Sequence, residues 1–186
     1  MAAPQETGQA QAKTWAERFK DIHPLEHLPQ ELRQDFETFL THRQIIIDYF
    51  SSFPQDRMDE GIGKGDSARK ELIHMVNNSS TRIYGLQQGE IPSWEEPIDA
   101  RSGKVRGLDF STEELLGRLK ATTVVLYDMY KRSPIKIIGL PYGKSNTGAE
   151  LLYGTALHEV GHAFACQKFA DHFGTPRPQS MKNRWG

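Results

Sequence analysis

The residues best suited to chemistry lie in Leu157-His158-Glu159-Val160-Gly161-His162, an H-E-x-x-H run. On a helix, residues four apart stand one above the other, about 6 Å apart along the axis. Two imidazoles so placed can converge on one metal ion. At about 100° per residue, His162 falls about 40° from His158, on the face shared by Leu151, Thr155, Phe169 and Phe173. The pair therefore sits on the inward side of a largely apolar helix, where imidazoles need partners. A metal ion is the partner that this spacing favours; two core histidines satisfied by hydrogen bonds are the plain alternative. Glu159 is the candidate catalytic base, although at about 100° from His158 it flanks the pair rather than sharing its face.

Zinc or a similar ion needs at least a third protein ligand, and few residues offer one. His74 is the candidate. It lies off the apolar stripe of Leu72, Val76 and Ile83 and beside Asn77, Asn78 and Thr81. That position suits either a site at a seam between helices or an exposed histidine. His23-Pro24-Leu25-Glu26-His27 spells the inverted H-x-x-E-H pattern, but Pro24 and Pro29 interrupt any helix that would align the two rings. His42 and His172 read as lone, solvated residues. Cys166 is the single cysteine; it stands about 12 Å along the axis from His158, too far to share an ion, and reads as a buried inert thiol. Glu71-x-x-His74 and Glu159-x-x-His162 also match the E-x-x-H pairs of di-iron carboxylate bundles. That arrangement gives His158 no role, and the carboxylates on the other helices lie towards helix ends.

Four long helical segments must position these residues. The first runs from Pro29 to Ser52, with Leu32, Phe36, Phe39, Leu40, Ile47 and Phe50 in one stripe. The second starts at Asp66 or Ser67 and ends at Gln88, before Gly89. The third opens on the capping box of Ser111 and Glu114, and its stripe is Leu115, Leu116, Leu119, Leu126 and Tyr130. The fourth runs from Thr147 to Phe173, with Gly174 after it. A shorter amphipathic piece, Trp15 to Ile22, precedes them. Strand patterning is confined to Ile135-Lys136-Ile137-Ile138. The fold class expected is all-α, a four-helix bundle. Its long connections, 89–110 and 131–146, are expected to wall a cleft.

Composition limits the alternatives. The chain has 186 residues, and 23 basic against 24 acidic side chains leave no excess of charge for a phosphate backbone, so no nucleic-acid partner is expected. No apolar run is long enough to cross a membrane, and the first residues lack a secretory apolar core. Residues 1–13 read as a disordered tail and 14–186 as one domain, soluble and cytoplasmic.

The sequence resembles the DinB/YfiT-like family of metal-binding bundles from about residue 36 to 180. Ser67-Ala68-Arg69, with His74 seven residues after the serine, is similar to the family's W-S-x-x-E-x-x-x-H segment. His158 and His162 match its H-x-x-x-H pair in the last helix. Gly174-Thr175-Pro176 is similar to its L-G-x-x-P close. The resemblance implies a DinB/YfiT-like four-helix bundle whose site is His74, His158 and His162 around one divalent ion, zinc or nickel. It further implies open positions for a small-molecule substrate. Relatives include transferases and isomerases that use a low-molecular-weight thiol, metal-dependent hydrolases, members without known activity, and homodimers. The leading expectation is a metal-dependent thiol transferase or hydrolase. The alternatives are a zinc peptidase using Glu159 as base, or a non-enzymatic, stress-related metal-binding bundle. Against the peptidase, no Glu follows Glu159 and the extended metalloprotease pattern fails at Ala165 and Lys168.

Overall fold

The computed structural model of the protein describes residues 12–62, 66–91, 110–132 and 137–185. The chain is predominantly helical, with six α-helices and two small hairpins among those residues. Helix α1 (Trp15–Ile22) is followed by α2 (Gln30–Ser52), α3 (Ala68–Gln88), α4 (Thr112–Arg132), α5 (Gly148–Phe173) and α6 (Gln179–Trp185). No described helix is long and apolar enough to cross a membrane.

The helix ends follow from local chemistry. Ser67 caps α3 through its hydroxyl to the Lys70 amide, and Gly89 closes that helix at φ 84°. Thr147 and Glu150 form the reciprocal capping box of α5, and Gly174 ends it at φ 65°. Only glycine adopts such positive φ values without strain. The box expected at Ser111 and Glu114 is present at the start of α4. Helix α6, not foreseen from the sequence, is pinned to α2 by Ser180 Oγ donating to Asp48 Oδ2 (2.6 Å) and by buried Met181. Of the tail expected over 1–13, Ala12 and Lys13 are described, and the Lys13 ammonium pairs with Asp21 at 2.7 Å; the rest lies outside the described residues.

The two long connections differ in what can be said. Most of 89–110 lies outside the described residues. Part of 131–146 is described and contains a hairpin, β3 (Ile137–Gly139) against β4 (Ser145–Thr147); β3 overlaps the strand pattern Ile135-Lys136-Ile137-Ile138, and its partner β4 was not foreseen. This hairpin ties the two site-bearing helices together. The Gly139 amide donates to Gly89 O (2.7 Å) and the Ile91 amide to Gly139 O (2.6 Å), which joins the end of α3 to β3. Strand β4 then runs directly into the cap of α5. A Cβ at Gly85 would stand 2.5 Å from the Ile91 side chain, so glycine lets this segment close onto α3. At the other end of α3, β1 (Gly61–Ile62) pairs with β2 (Asp66–Ser67) to deliver the Ser67 cap.

The long helices enclose an apolar interior that is divided in two. One half joins Phe50, Phe53, Leu72, Met75, Leu119, Ala163 and Phe169. The other joins Phe36, Phe39, Leu40, Leu126, Tyr130, Leu152 and Ala156. Helix α2 makes its most extensive packing against α5, and α3 against α4. Between the halves lies a polar layer centred on Arg43, whose side chain is fully buried. Its Nε donates to Glu159 Oε2 (3.1 Å) and its Nη2 to Glu159 Oε1 and to Ser79 Oγ (2.9 Å). Its Nη1 donates to Leu119 O and Thr123 Oγ1, both at 3.2 Å. One guanidinium on α2 thus bonds to α3, α4 and α5.

Removing one member of a buried pair strands the other charge. Glu159→Gln is therefore expected to destabilise the fold by about 3–5 kcal/mol. The double variant Arg43→Met with Glu159→Met should lose less than the two single variants together, because neither charge is stranded. Denaturant unfolding of the four proteins checks this, and additive losses would contradict it.

Candidate metal centre

The sequence of α5 puts His158 and His162 one turn apart on its partly exposed side, facing α3. The α3 side of the seam presents His74 and, one turn before it, Glu71. His74 lies off the buried stripe of its helix, as its position among polar neighbours implies, yet its ring crosses the seam. His74 Nε2 is 3.1 Å from His158 Nε2, and His162 Nε2 is 3.0 Å from that same atom. The three residues form a metal-capable group whose ligand atoms all lie within 4.8 Å of one another. At Zn–N distances of about 2.0–2.1 Å, tetrahedral ligand atoms stand about 3.3–3.4 Å apart. The two separations from His158 Nε2 need to open by only a few tenths of an ångström to match that spacing.

Outer partners set the ring states. Glu71 Oε1 is 2.5 Å from His162 Nδ1. A carboxylate there holds the proton on Nδ1 and leaves Nε2 with its lone pair towards the other two rings. Burial is the main force on His158, and it pushes the pKa down to about 2; the neighbouring His162, Arg82, His74 and Arg43 act in the same direction. Burial also lowers the His74 pKa, with Glu71 opposing. Both rings are thus held neutral, the form that binds metal. His158 Nδ1 is buried with no hydrogen-bond partner.

The remaining sequence candidates fall elsewhere. Glu159 is 1% exposed and turned into the core, with both carboxylate oxygens on Arg43 rather than towards the histidines. This corrects the expected helix face: Glu159 stands at the centre of the buried face, and the histidine pair, expected on the inward side, flanks it at the seam. Helix α1 ends at Ile22 and Leu25–His27 is a separate 3-10 turn, so the inverted H-x-x-E-H pattern is not on one helix; His23 packs on Phe19 and Tyr127 instead. His42, expected to be solvated, is 1% exposed, with its Nδ1 2.7 Å from Thr38 O. Cys166 is fully buried, and burial raises its thiol pKa, as expected of an inert core thiol. The roles of Arg43 and Glu71 were missed. Arg43 had a signal: it stands in the apolar stripe of its helix, between Leu40 and Ile47.

No protein-family model and no curated protein matches this chain.

Two outcomes follow from the ring environments. Replacing Glu71 with Ala frees the His162 ring, so metal affinity should fall about 10–100-fold while helical circular dichroism holds; unchanged affinity would contradict the orienting role. The second concerns pH. His158 and His74 have folded pKa values below their ordinary value near 6.5, so the unfolded chain takes up their protons first as pH falls. Stability of metal-free protein should drop as pH is lowered below about 6.5, and more steeply than in His158→Gln. Equal slopes in thermal unfolding between pH 8 and 5 would contradict it.

Proposed function

We propose that this protein is a metal-dependent enzyme acting on a small molecule, a thiol S-transferase or a hydrolase. His74, His158 and His162 hold one divalent ion, zinc or nickel. The observation that supports this reading is the convergence of three imidazole Nε2 atoms from two helices, with a carboxylate behind one ring. We read the four long helices as a four-helix bundle of DinB/YfiT-like type. The meeting of one histidine from the second long helix with two from the last is the ligand order that the resemblance implies.

Three imidazoles with room for further ligands suit a catalytic centre better than a closed structural one. An ion held there supplies Lewis-acid chemistry, polarising a carbonyl or lowering the pKa of a coordinated water or thiol. The protein's own groups do the rest. Glu71 orients His162. Burial keeps His158 unprotonated. His74, the most exposed of the three, leaves its side of the site accessible to a substrate.

Glu159 has no part in this mechanism. A peptidase would need it as a base beside the ion, whereas its oxygens are engaged by Arg43 in the core. The di-iron alternative needs Glu159 as a ligand and meets the same obstacle. For the non-enzymatic alternative, no observation in the site favours it over turnover.

Untagged protein should bind one equivalent of zinc or nickel. His74→Ala should weaken that binding by more than about 100-fold, beyond the loss typical of an outer partner, and comparably to His158→Ala and His162→Ala. The metal-free fold should persist in all three, since the apolar halves of the core do not depend on the site. Metal titration with circular dichroism checks both; wild-type affinity in His74→Ala would contradict the three-histidine site. A screen of thiols with ester and amide substrates on metal-loaded protein should give turnover that His74→Ala abolishes. No turnover across that screen would favour the non-enzymatic alternative.

A further inference from the structure

Helix α5 is apolar on its outer face as well as its inner one. From Glu150 to Lys168 its exposed positions are Glu150, Tyr153, Leu157, Gly161, Phe164 and Lys168. They recur at intervals of three and four residues and so form one strip along the helix. Tyr153, Leu157 and Phe164 are 55%, 51% and 44% exposed, and they make up half of the large apolar side chains exposed among the described residues. The others, Ile22, Val125 and Ile137, lie on separate elements. By contrast, every exposed position of α2 is polar. Trp185 of α6 stacks on Phe164, with 4.7 Å between ring centroids, and widens the strip. A helix that is apolar all round is normally covered on both sides.

The strip is complementary to itself. Glu150 and Lys168 end it, each nine residues from position 159 and five turns of helix apart, so they point the same way. A second α5 laid antiparallel, with the two-fold axis level with position 159, brings each Glu150 to Lys168 of the partner subunit. The same register sets Tyr153 against the partner's Phe164 and Leu157 against the partner's Gly161. A Cβ at Gly161 would meet nothing within 4 Å, so its place on the strip is open to a facing leucine. Glu150 Oε2 accepts from the amide and hydroxyl of Thr147, and these bonds lower its pKa, so the carboxylate is anionic at neutral pH. A parallel pair would set like charges together at both ends. A lipid surface calls for a cationic polar face, which two opposite end charges do not provide.

We infer that the outer face of α5 is a homodimer interface, in which two copies of this chain pair α5 against α5, antiparallel about a two-fold axis. The inference rests on the surface of α5 and not on the metal-centre reading.

Sedimentation equilibrium of the untagged full chain, with chelator present to exclude metal-bridged pairs, should show a monomer–dimer equilibrium between about 1 μM and about 1 mM. Leu157→Glu buries a charge in each half of the interface and should weaken dimerisation at least about 100-fold. Gly161→Leu fills the space facing Leu157 and should weaken it as well. Helical circular dichroism should hold in both, because both positions are exposed in the single chain. Charge reversal tests the register. Glu150→Lys and Lys168→Glu each bring like charges together and should each weaken pairing about tenfold at low salt. Mixed in equal amounts, these two variants should pair as wild-type protein does, since every end contact is then opposite in charge. A wild-type monomer throughout that range would overturn the inference. So would wild-type dimerisation in both Leu157→Glu and Gly161→Leu, or a mixture of the charge variants that pairs no better than its components.

Discussion

The guanidinium of Arg43 joins all four long helices at one level. It extends from α2 and bonds to Ser79 on α3, Leu119 O and Thr123 on α4, and Glu159 on α5. Burying a full charge is costly, and its attraction to Glu159 offsets that cost only if the remaining donors are also satisfied. All five N–H groups have an acceptor here. The result is a directional constraint in a core that is otherwise apolar. Apolar packing tolerates sliding and rotation of one helix against another; a five-donor fork with fixed partners tolerates neither. Specifying the relative placement of the helices is the role we assign to this polar layer.

The candidate site uses that placement. Glu159 lies between the two histidines of α5 in sequence, so turning its carboxylate into the core turns His158 and His162 out towards the seam with α3. The β3–β4 hairpin fixes the same seam from its end, tying Gly89 to Gly139 and leading into the Thr147 cap. Helix α3 can then present His74 and Glu71 across a gap of about one hydrogen-bond length. The two acidic residues of the E-x-x-H pairs end in opposite environments. Glu71 stays at the seam and orients a ring, while Glu159 is consumed in holding the helix. The H-E-x-x-H run therefore has two faces: Glu159 binds into the core, and the two histidines face the seam.

Much of this was legible in the sequence. The caps at Ser67, Ser111 and Thr147 and the stops at Gly89 and Gly174 depend on local backbone chemistry, and they sit where the sequence puts them. The histidine pair on α5 follows from helical periodicity alone. His74 was a candidate ligand on residue type, and the family resemblance strengthened it, because periodicity places it off the core stripe and cannot tell a seam from open solvent. The polar layer left a weaker trace. Arg43, Ser79 and Thr123 each stand at an inward position of an apolar stripe, while Glu159 was placed beside the inward face; pairing them requires knowing the depth at which four helices meet. Glu71 gave a signal in its E-x-x-H spacing to His74, but that spacing pointed to a ligand on its own helix and not to the His162 ring across the seam. Helix α6 is short and polar, and its position depends on contacts with α2 that are remote in sequence. His42 was misjudged for a similar reason: nothing local reveals that Trp185 lies beside it.

The central claim is that three imidazoles from two helices meet at one ion. X-ray absorption spectroscopy of zinc-loaded, untagged protein addresses it most directly, because multiple scattering from imidazole rings counts the histidines bound. The account requires three histidine nitrogens at about 2.0–2.1 Å, light-atom ligands completing the shell, and no sulfur. Two histidines with a carboxylate in place of the third, or a sulfur ligand from Cys166, would contradict it.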